Sequence, residues 1–404
     1  MKRFIVSICM AAVVAMAVVG CGKKADIIEE NVANAEVQLT ALLAASEEGG
    51  ELKIPSTYRD GKVRFVPTRD WVSGFFAGSL WYMYELTGDE KWADAACRHT
   101  EHLHDIQWLT GHHDVGFMIG SSYGNGRRLK HIEPYDTIIV NAAKSLSTRF
   151  RPEAGVLQSW NTDRGWQAER GWNCPVIIDN MMNLELLFKA SLISGDETFR
   201  NIAISHADKT LEHHYREDFS TWHVVDYDMQ TGAIRGKYTA QGAADDSAWA
   251  RGQAWSLYGY TMTYRYVRDE RYLQRAENVV KFLFSHPNMP EDLVPYWDFD
   301  APDIPNAPRD VSSAAIIASA LYELYEHTLN GEYKELADKM LVSLSSPAYR
   351  AAQGENGGFV LMHSVGSIPH KSNVDVPLNY ADYYLLEALV RRQNVEKGLP
   401  VAEL

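Results

Sequence analysis

Two aspartates in the chain stand where acid/base chemistry on a sugar could use them. Asp114 lies in His112-His113-Asp114-Val115-Gly116-Phe117, and Asp179 follows an apolar run in Ile177-Ile178-Asp179-Asn180-Met181-Met182-Asn183-Leu184. General acid/base work on a sugar asks for two carboxyls in apolar, aromatic-flanked surroundings, one kept protonated and one kept ionised. Each aspartate also has a plainer reading as the side-chain cap of the helix that follows it.

A third cluster is Gln241-Gly-Ala-Ala-Asp245-Asp246-Ser247-Ala-Trp249-Ala-Arg251-Gly-Gln253-Ala-Trp255. Asp246-Ser247 suits a helix start. Arg251 could clamp a carboxylate bidentately, and Trp249 or Trp255 could stack on a sugar ring; the plainer reading pairs Arg251 with Asp245 or Asp246. The loop His363-Ser364-Val-Gly366-Ser367-Ile-Pro-His370-Lys371-Ser372 offers hydroxyls, imidazoles and a lysine to a sulfate or carboxylate, or is a solvated surface loop. The His112-His113-Asp114 run does not read as a metal site, because neighbours on an extended segment point opposite ways and no second ligand cluster completes it.

Holding such residues together falls to helices. Four segments read alike: Leu86-Thr-Gly-Asp-Glu-Lys-Trp92, Ile193-Ser-Gly-Asp-Glu-Thr-Phe199, Val267-Arg-Asp-Glu-Arg-Tyr272 and Leu329-Asn-Gly-Glu-Tyr333. Each joins an apolar, aromatic helix to a more polar one, which makes a repeated helical hairpin. Long loops rich in Pro, Gly and Trp are expected at about 50–70, 111–136, 152–177, 220–245, 286–311 and 346–378. The count comes to about a dozen helices in six hairpins. Short turns on one side and long loops on the other predict an all-α (α/α)6 barrel with function on the loop face; a superhelical solenoid is the rival.

The 404 residues carry 53 acidic and 39 basic side chains, a net charge of −14, with 46% hydrophobic residues. That composition excludes intrinsic disorder, and an acidic surface without Lys/Arg runs argues against nucleic acid as a partner. Lys2-Arg3 followed by the apolar stretch Phe4–Val19 and then Gly20-Cys21 reads as a bacterial lipoprotein signal over residues 1–20, with Cys21 lipidated and the barrel over 21–404. The protein is then exported and held on a membrane by its lipid alone. Only Cys97 and Cys174 remain in the folded part, so no disulfide framework supports it.

Taken together, the Asp114, Asp179 and Ser247-Ala-Trp-Ala-Arg-Gly-Gln-Ala-Trp255 motifs resemble glycoside hydrolase family 88, the unsaturated glucuronyl hydrolases, and the likeness runs from about Trp71 to Tyr384. The resemblance implies an (α/α)6 barrel, no metal or cofactor, and an exo-acting enzyme. Its substrate would be the 4,5-unsaturated uronic acid that a polysaccharide lyase leaves at a non-reducing end, with glycosaminoglycan disaccharides favoured. It implies Asp179 as acid/base and Asp114 as partner carboxylate, with Trp71, His113, His223, Gln241, Trp249, Arg251 and Trp255 at binding positions. From the 363–372 loop, Ser364, Ser367 and Lys371 are the expected substrate contacts, to a sulfate or carboxylate. Rival readings are an unsaturated rhamnogalacturonyl hydrolase, an inverting glucanase, and a lipid-anchored sugar-binding protein without catalysis.

Overall fold

The computed structural model describes residues 26–402. The four repeated segments are one local device used four times. Each inner helix ends on a left-handed residue, Gly88, Gly195, Arg268 or Leu329, whose N–H bonds the carbonyl four residues back. The next residue, Asp89, Asp196, Asp269 or Asn330, caps the outer helix by accepting an N–H two residues on. A reversal of direction therefore takes two residues. It joins α2 (Ser73–Thr87) to α3 (Glu90–Glu101), α8 (Leu184–Ser194) to α9 (Glu197–His213), α10 (Ala250–Val267) to α11 (Glu270–Ser285), and α12 (Val311–Thr328) to α13 (Gly331–Leu344).

Segment 111–136, expected as loop, holds a fifth inner helix. α4 (Val115–Ile119) runs through a π turn at Gly120–Gly124 into α5 (Asn125–Lys130), and left-handed His131 turns the chain into outer α6 (Glu133–Ser147). Its glycines read as loop, yet they serve close packing: a Cβ at Gly116 would stand 2.6 Å from the Asn183 Cα. The last inner helix, α14 (Asn379–Lys397), packs on both α12 and α2, and outer α1 (Ile27–Glu47) covers α2. That contact between α14 and α2 closes the ring, which a solenoid would leave open.

Inner helices are buried on nearly all faces, as along Ala250–Arg265 of α10, while outer α11 buries only the stripe Tyr272, Ala276, Val279, Val280, Phe282 and Leu283. The long loops are stiffened by antiparallel strands: β1 (Ile54–Arg59) with β2 (Lys62–Val66), β3 (Phe150–Arg151) with β4 (Val156–Leu157), and β8 (Ser364–Ser367) with β9 (Ser372–Val376). A three-stranded sheet orders β5 (Cys174–Ile177), β6 (Val224–Tyr227) and β7 (Ile234–Tyr238), and the short α7 (Gly165–Glu169) sits in the loop before it. Cys97 and Cys174 are unpaired.

Candidate active site

β5 and β6 together place one half of the site. Ile177 pairs with Val224, and the Ile178 N–H bonds the His223 carbonyl at 3.0 Å, so Asp179 at the end of one strand meets His223 at the start of the next. Their Oδ2 and Nε2 atoms stand 3.7 Å apart. His223 Nδ1 accepts the N–H groups of Ala240 (3.0 Å) and Gln241 (3.2 Å), so the ring proton must sit on Nε2, directed at Asp179. Burial, helped by the Arg251 charge, pushes this imidazole well below its ordinary range, and it is neutral.

The other half is Asp114. It occupies the residue before α4, but its side chain caps nothing; Asp179 likewise makes no cap bond. Asp114 Oδ1 instead accepts Asn183 Nδ2 at 3.1 Å, while Asn183 Oδ1 accepts the Phe117 N–H at 3.1 Å. Asn183 closes the 3₁₀ turn Ile178–Asn183 that carries Asp179, so this one side chain bolts the two carboxyl-bearing segments together. It stood in the Asp179 motif without an assigned role.

Both carboxyls are pushed up to about 7. Burial is the main cause for each. For Asp179 the Arg251 charge opposes burial, and Asp114 and the Trp255 indole act more weakly, in opposite directions. For Asp114 the Asn183 bond and then the Arg149 charge oppose it. The expectation of one carboxyl kept protonated and one kept ionised is therefore corrected: desolvation comes first and raises both, and the Asp114 charge adds only a smaller upward push on Asp179. Asp179 Oδ2, His223 Nε2 and Ser364 Oγ have no hydrogen-bond partner among the described residues, whereas His113 Nε2 stands 3.2 Å from Asp114 Oδ1. Buried polar atoms left this way are available to a substrate or water.

Several expected contacts are reassigned. Arg251 is not a free clamp and does not pair with Asp245 or Asp246. Its Nη1 meets Asp310 Oδ2 at 3.3 Å and the Val365 carbonyl, and its Nη2 donates to the Gly366 carbonyl (2.7 Å) and to Gln241 Oε1 (3.1 Å). Its partner lies 59 positions away, beyond any local pattern. Asp246-Ser247 does not begin a helix, since α10 starts at Ala250; Ser247 bonds Asp298 instead. Trp249, packed between His223 (4.5 Å) and Arg251 (4.6 Å), and the fully buried Trp255 offer no open face for stacking.

Trp71, set against Phe117 and Tyr380, and Trp160, which meets His113 and His223 edge-on, are by contrast only half-buried. Trp160, with Trp166 and Trp172 packed on it, was missed; three tryptophans within a Gly-rich loop are the signal that could have found it. His112 and His113 do not point opposite ways but stack in parallel at 5.2 Å, and with Asp114 they bring candidate ligand atoms within 4.8 Å. His112 Nδ1 already accepts the Asp114 N–H. Ser367 Oγ bonds His370 Nδ1 at 2.8 Å, Ser364 is buried, and exposed Lys371 sits in the β8–β9 turn.

The model of glycosyl hydrolase family 88 matches residues 50–399. An unsaturated glucuronyl hydrolase of Formosa agariphila is 46% identical over 334 residues, covering 82% of each chain. The solved structure of an unsaturated glucuronyl hydrolase specific for heparin has a TM-score of 0.87 and 42% identity, covering 94% of this chain and 100% of that one. A mutant unsaturated glucuronyl hydrolase from Streptococcus agalactiae complexed with dGlcA-GalNAc6S superposes with a TM-score of 0.73 and 28% identity over 90% of each chain. Barrel, paired carboxyls and these likenesses agree, and the chain belongs to glycosyl hydrolase family 88.

Proposed function

We propose that the protein removes the 4,5-unsaturated uronic acid from the non-reducing end of lyase-generated glycosaminoglycan fragments by hydrating the C4=C5 double bond. One observation carries this reading: two buried carboxyls, both raised to about 7, share a wall with neutral imidazoles and a half-buried tryptophan, in a chain of this family. The names of its relatives, unsaturated glucuronyl hydrolase and a heparin-specific homologue, support the substrate class.

Below about pH 7 the Asp179 carboxyl is protonated and can give its proton to C4. Water adds its oxygen to C5, and the Asp179 carboxylate takes the proton that water gives up, which restores the acid. The hemiketal at C5 opens to a ketone, the ring oxygen stays on C1, and C1 then expels the aglycone as an alcohol. His223, with its proton on Nε2, faces the same carboxyl and suits a hydrogen bond to the water or to a sugar oxygen. Because both carboxyls are raised to about 7, the pair near that pH can hold one proton between them, and with that proton on Asp179 the Asp114 carboxylate suits the positive charge that builds on C5 and the ring oxygen. Trp71, His113 and Trp160 frame the uronyl ring, and the β8–β9 hairpin with Ser364, Ser367 and Lys371 faces the far sugar.

The test is ultraviolet absorbance with lyase-made disaccharides, where hydration removes the conjugated double bond. In deuterated water, early product carries deuterium at C4; ordinary glycoside hydrolysis leaves C4 unlabelled and sinks the hydration reading.

We also propose that residues 1–20 direct export and that Cys21 is acylated, both outside the described residues. Among the described residues no helix is long and apolar enough to cross a membrane. Cys21→Ser should move the enzyme from the membrane to the soluble fraction at unchanged specific activity; persistence with membranes would refute the anchor.

A further inference from the structure

Arg251 and Asp310 form an ion pair in which neither side chain reaches solvent, with exposures of 2% and 0%. Pairs this deep contribute little net stability, so their value lies elsewhere. Asp310 is the cap of α12, but it makes far more bonds than a cap needs. Its Oδ1 accepts the Ser312 N–H (3.2 Å), the Ser312 hydroxyl (2.6 Å) and the Val365 N–H (3.2 Å). Its Oδ2 accepts the Ser313 hydroxyl (2.6 Å) and Arg251.

Arg251 donates in turn to the carbonyls of Val365 and Gly366. Val365 is thus held by both backbone groups, its N–H on Asp310 and its C=O on Arg251, along the edge of β8 that β9 leaves open. One residue to either side, Ser364 and Gly366 carry the strand toward Ser367 and the hairpin turn. The same guanidinium packs on Trp249, which packs on His223, and its charge acts on Asp179.

We propose that Asp310 is a positioning residue: through Arg251 it registers the β8–β9 hairpin against Asp179, so that one buried ion pair sets both recognition of the far sugar and placement of the proton donor. This rests on the reading of Asp179 as the acid and of the hairpin as the far-sugar subsite.

A consequence follows for pH. Asp179 is faced by Arg251 and Trp255 from α10, by Asp114 from the start of α4 and by His223 from the start of β6; Arg251 is faced by Asp310, Tyr380 and Asp179. Without the Asp310 charge, Arg251 is less neutralised, and its field favours the ionised form of Asp179 more strongly. The acid form is then lost at lower pH.

The test measures kcat and KM across pH for Asp310→Asn, Asp310→Glu and the milder Ser313→Ala, on two lyase-made disaccharides that differ only in sulfation of the far sugar. Asp310→Asn should lower kcat/KM roughly ten- to a hundredfold, move the alkaline limb of kcat down by about half a pH unit or more, and change the ratio between the two disaccharides several-fold. Asp310→Glu should restore part of each effect. If Asp310→Asn fails to fold, Ser313→Ala, which removes one bond to Oδ2 but keeps the charge, should change the ratio between the two disaccharides in the same direction and in smaller measure.

Folded variants that keep the wild-type limb and the wild-type ratio, whatever their melting temperature, would overturn the proposal. Asp179→Asn, assayed alongside, separates the two failures. If it is active, the reading of the acid fails. If it is inactive while the Asp310 variants behave as wild type, only the role of Asp310 fails.

Discussion

The barrel buries charge at both ends and treats it in opposite ways. At the loop end, Asp114 and Asp179 are pushed up to about 7, because burial outweighs arginines whose hydrogen bonds go to other groups. Arg149 donates to the carbonyls of Gln158, Thr110 and Ser159, and Arg251 to those of Val365 and Gly366 and to Asp310.

Toward the turn end, Glu323 on α12 is fully buried and Glu185 on α8 is partly buried, and burial is again the largest single influence on each. Lys189 and Arg265 together outweigh it and hold Glu185 at about 2, while Arg265 and Arg391 hold Glu323 far below the usual carboxylate range. The contacts there are direct: Arg265 Nε to Glu323 at 2.8 Å, Arg391 to Glu323 at 3.0 Å, and Arg265 to Glu185 at 3.0 Å. Nearby Glu387 accepts hydroxyls from Tyr82 (2.7 Å), Tyr258 (2.9 Å) and Ser319 (2.5 Å). Depth alone does not set acid strength in this molecule. What decides is whether a cation bonds the carboxylate itself or only lends it a field.

The largest expected effect lies at the loop end. Asp179→Asn keeps the shape of the side chain but can neither donate a proton to C4 nor take one from water, so kcat should fall at least about a thousandfold with binding largely kept. Activity near the wild-type value would return Asp179 to the scaffold. At the turn end, Glu323→Gln leaves Arg265 and Arg391 undercompensated and should cost about 3–5 kcal/mol in denaturant unfolding, while the pH profile of the folded enzyme stays put. A shifted profile would mean that the two ends communicate.

The smallest effect separates the two regions by sign. The raised Asp179 favours the folded state fully below about pH 4, and that contribution is lost as pH rises through about 7, where a charge must be buried. Asp179→Asn should therefore melt a few degrees higher than wild type at pH 8 and show no gain at pH 4. For Glu185 the sign reverses: its lowered value gives stability above about pH 4.5 that is lost as pH falls toward 2, so Glu185→Gln should melt lower at pH 8. Melting curves of both variants at the two pH values check the contrast, and a shared sign would break it.

The hairpin turns were legible because their physics is local. A left-handed residue followed by Asp or Asn reverses the chain within two positions, and every group involved lies within a helical turn. The apolar inner helices and polar outer ones were legible for the same reason. So were the two aspartates, whose types and apolar flanks marked them as unusual. The inner helix around Gly116–Gly126 was not legible: its glycines carry no helical signal of their own, and Gly116 and Gly126 are there because Asn183, Trp81 and Tyr135 leave no room for a side chain at those two positions.

Only the folded chain decided that Arg251 spends its donors on Asp310 and β8, and that Asn183, 69 positions from Asp114, bolts the two carboxyls together. It also decided that both carboxyls rise together. Caps and periodicity depend on residues one turn away, and sequence records those directly. A buried pKa depends on which charges the closed ring brings near, and those come from helices far apart in the chain.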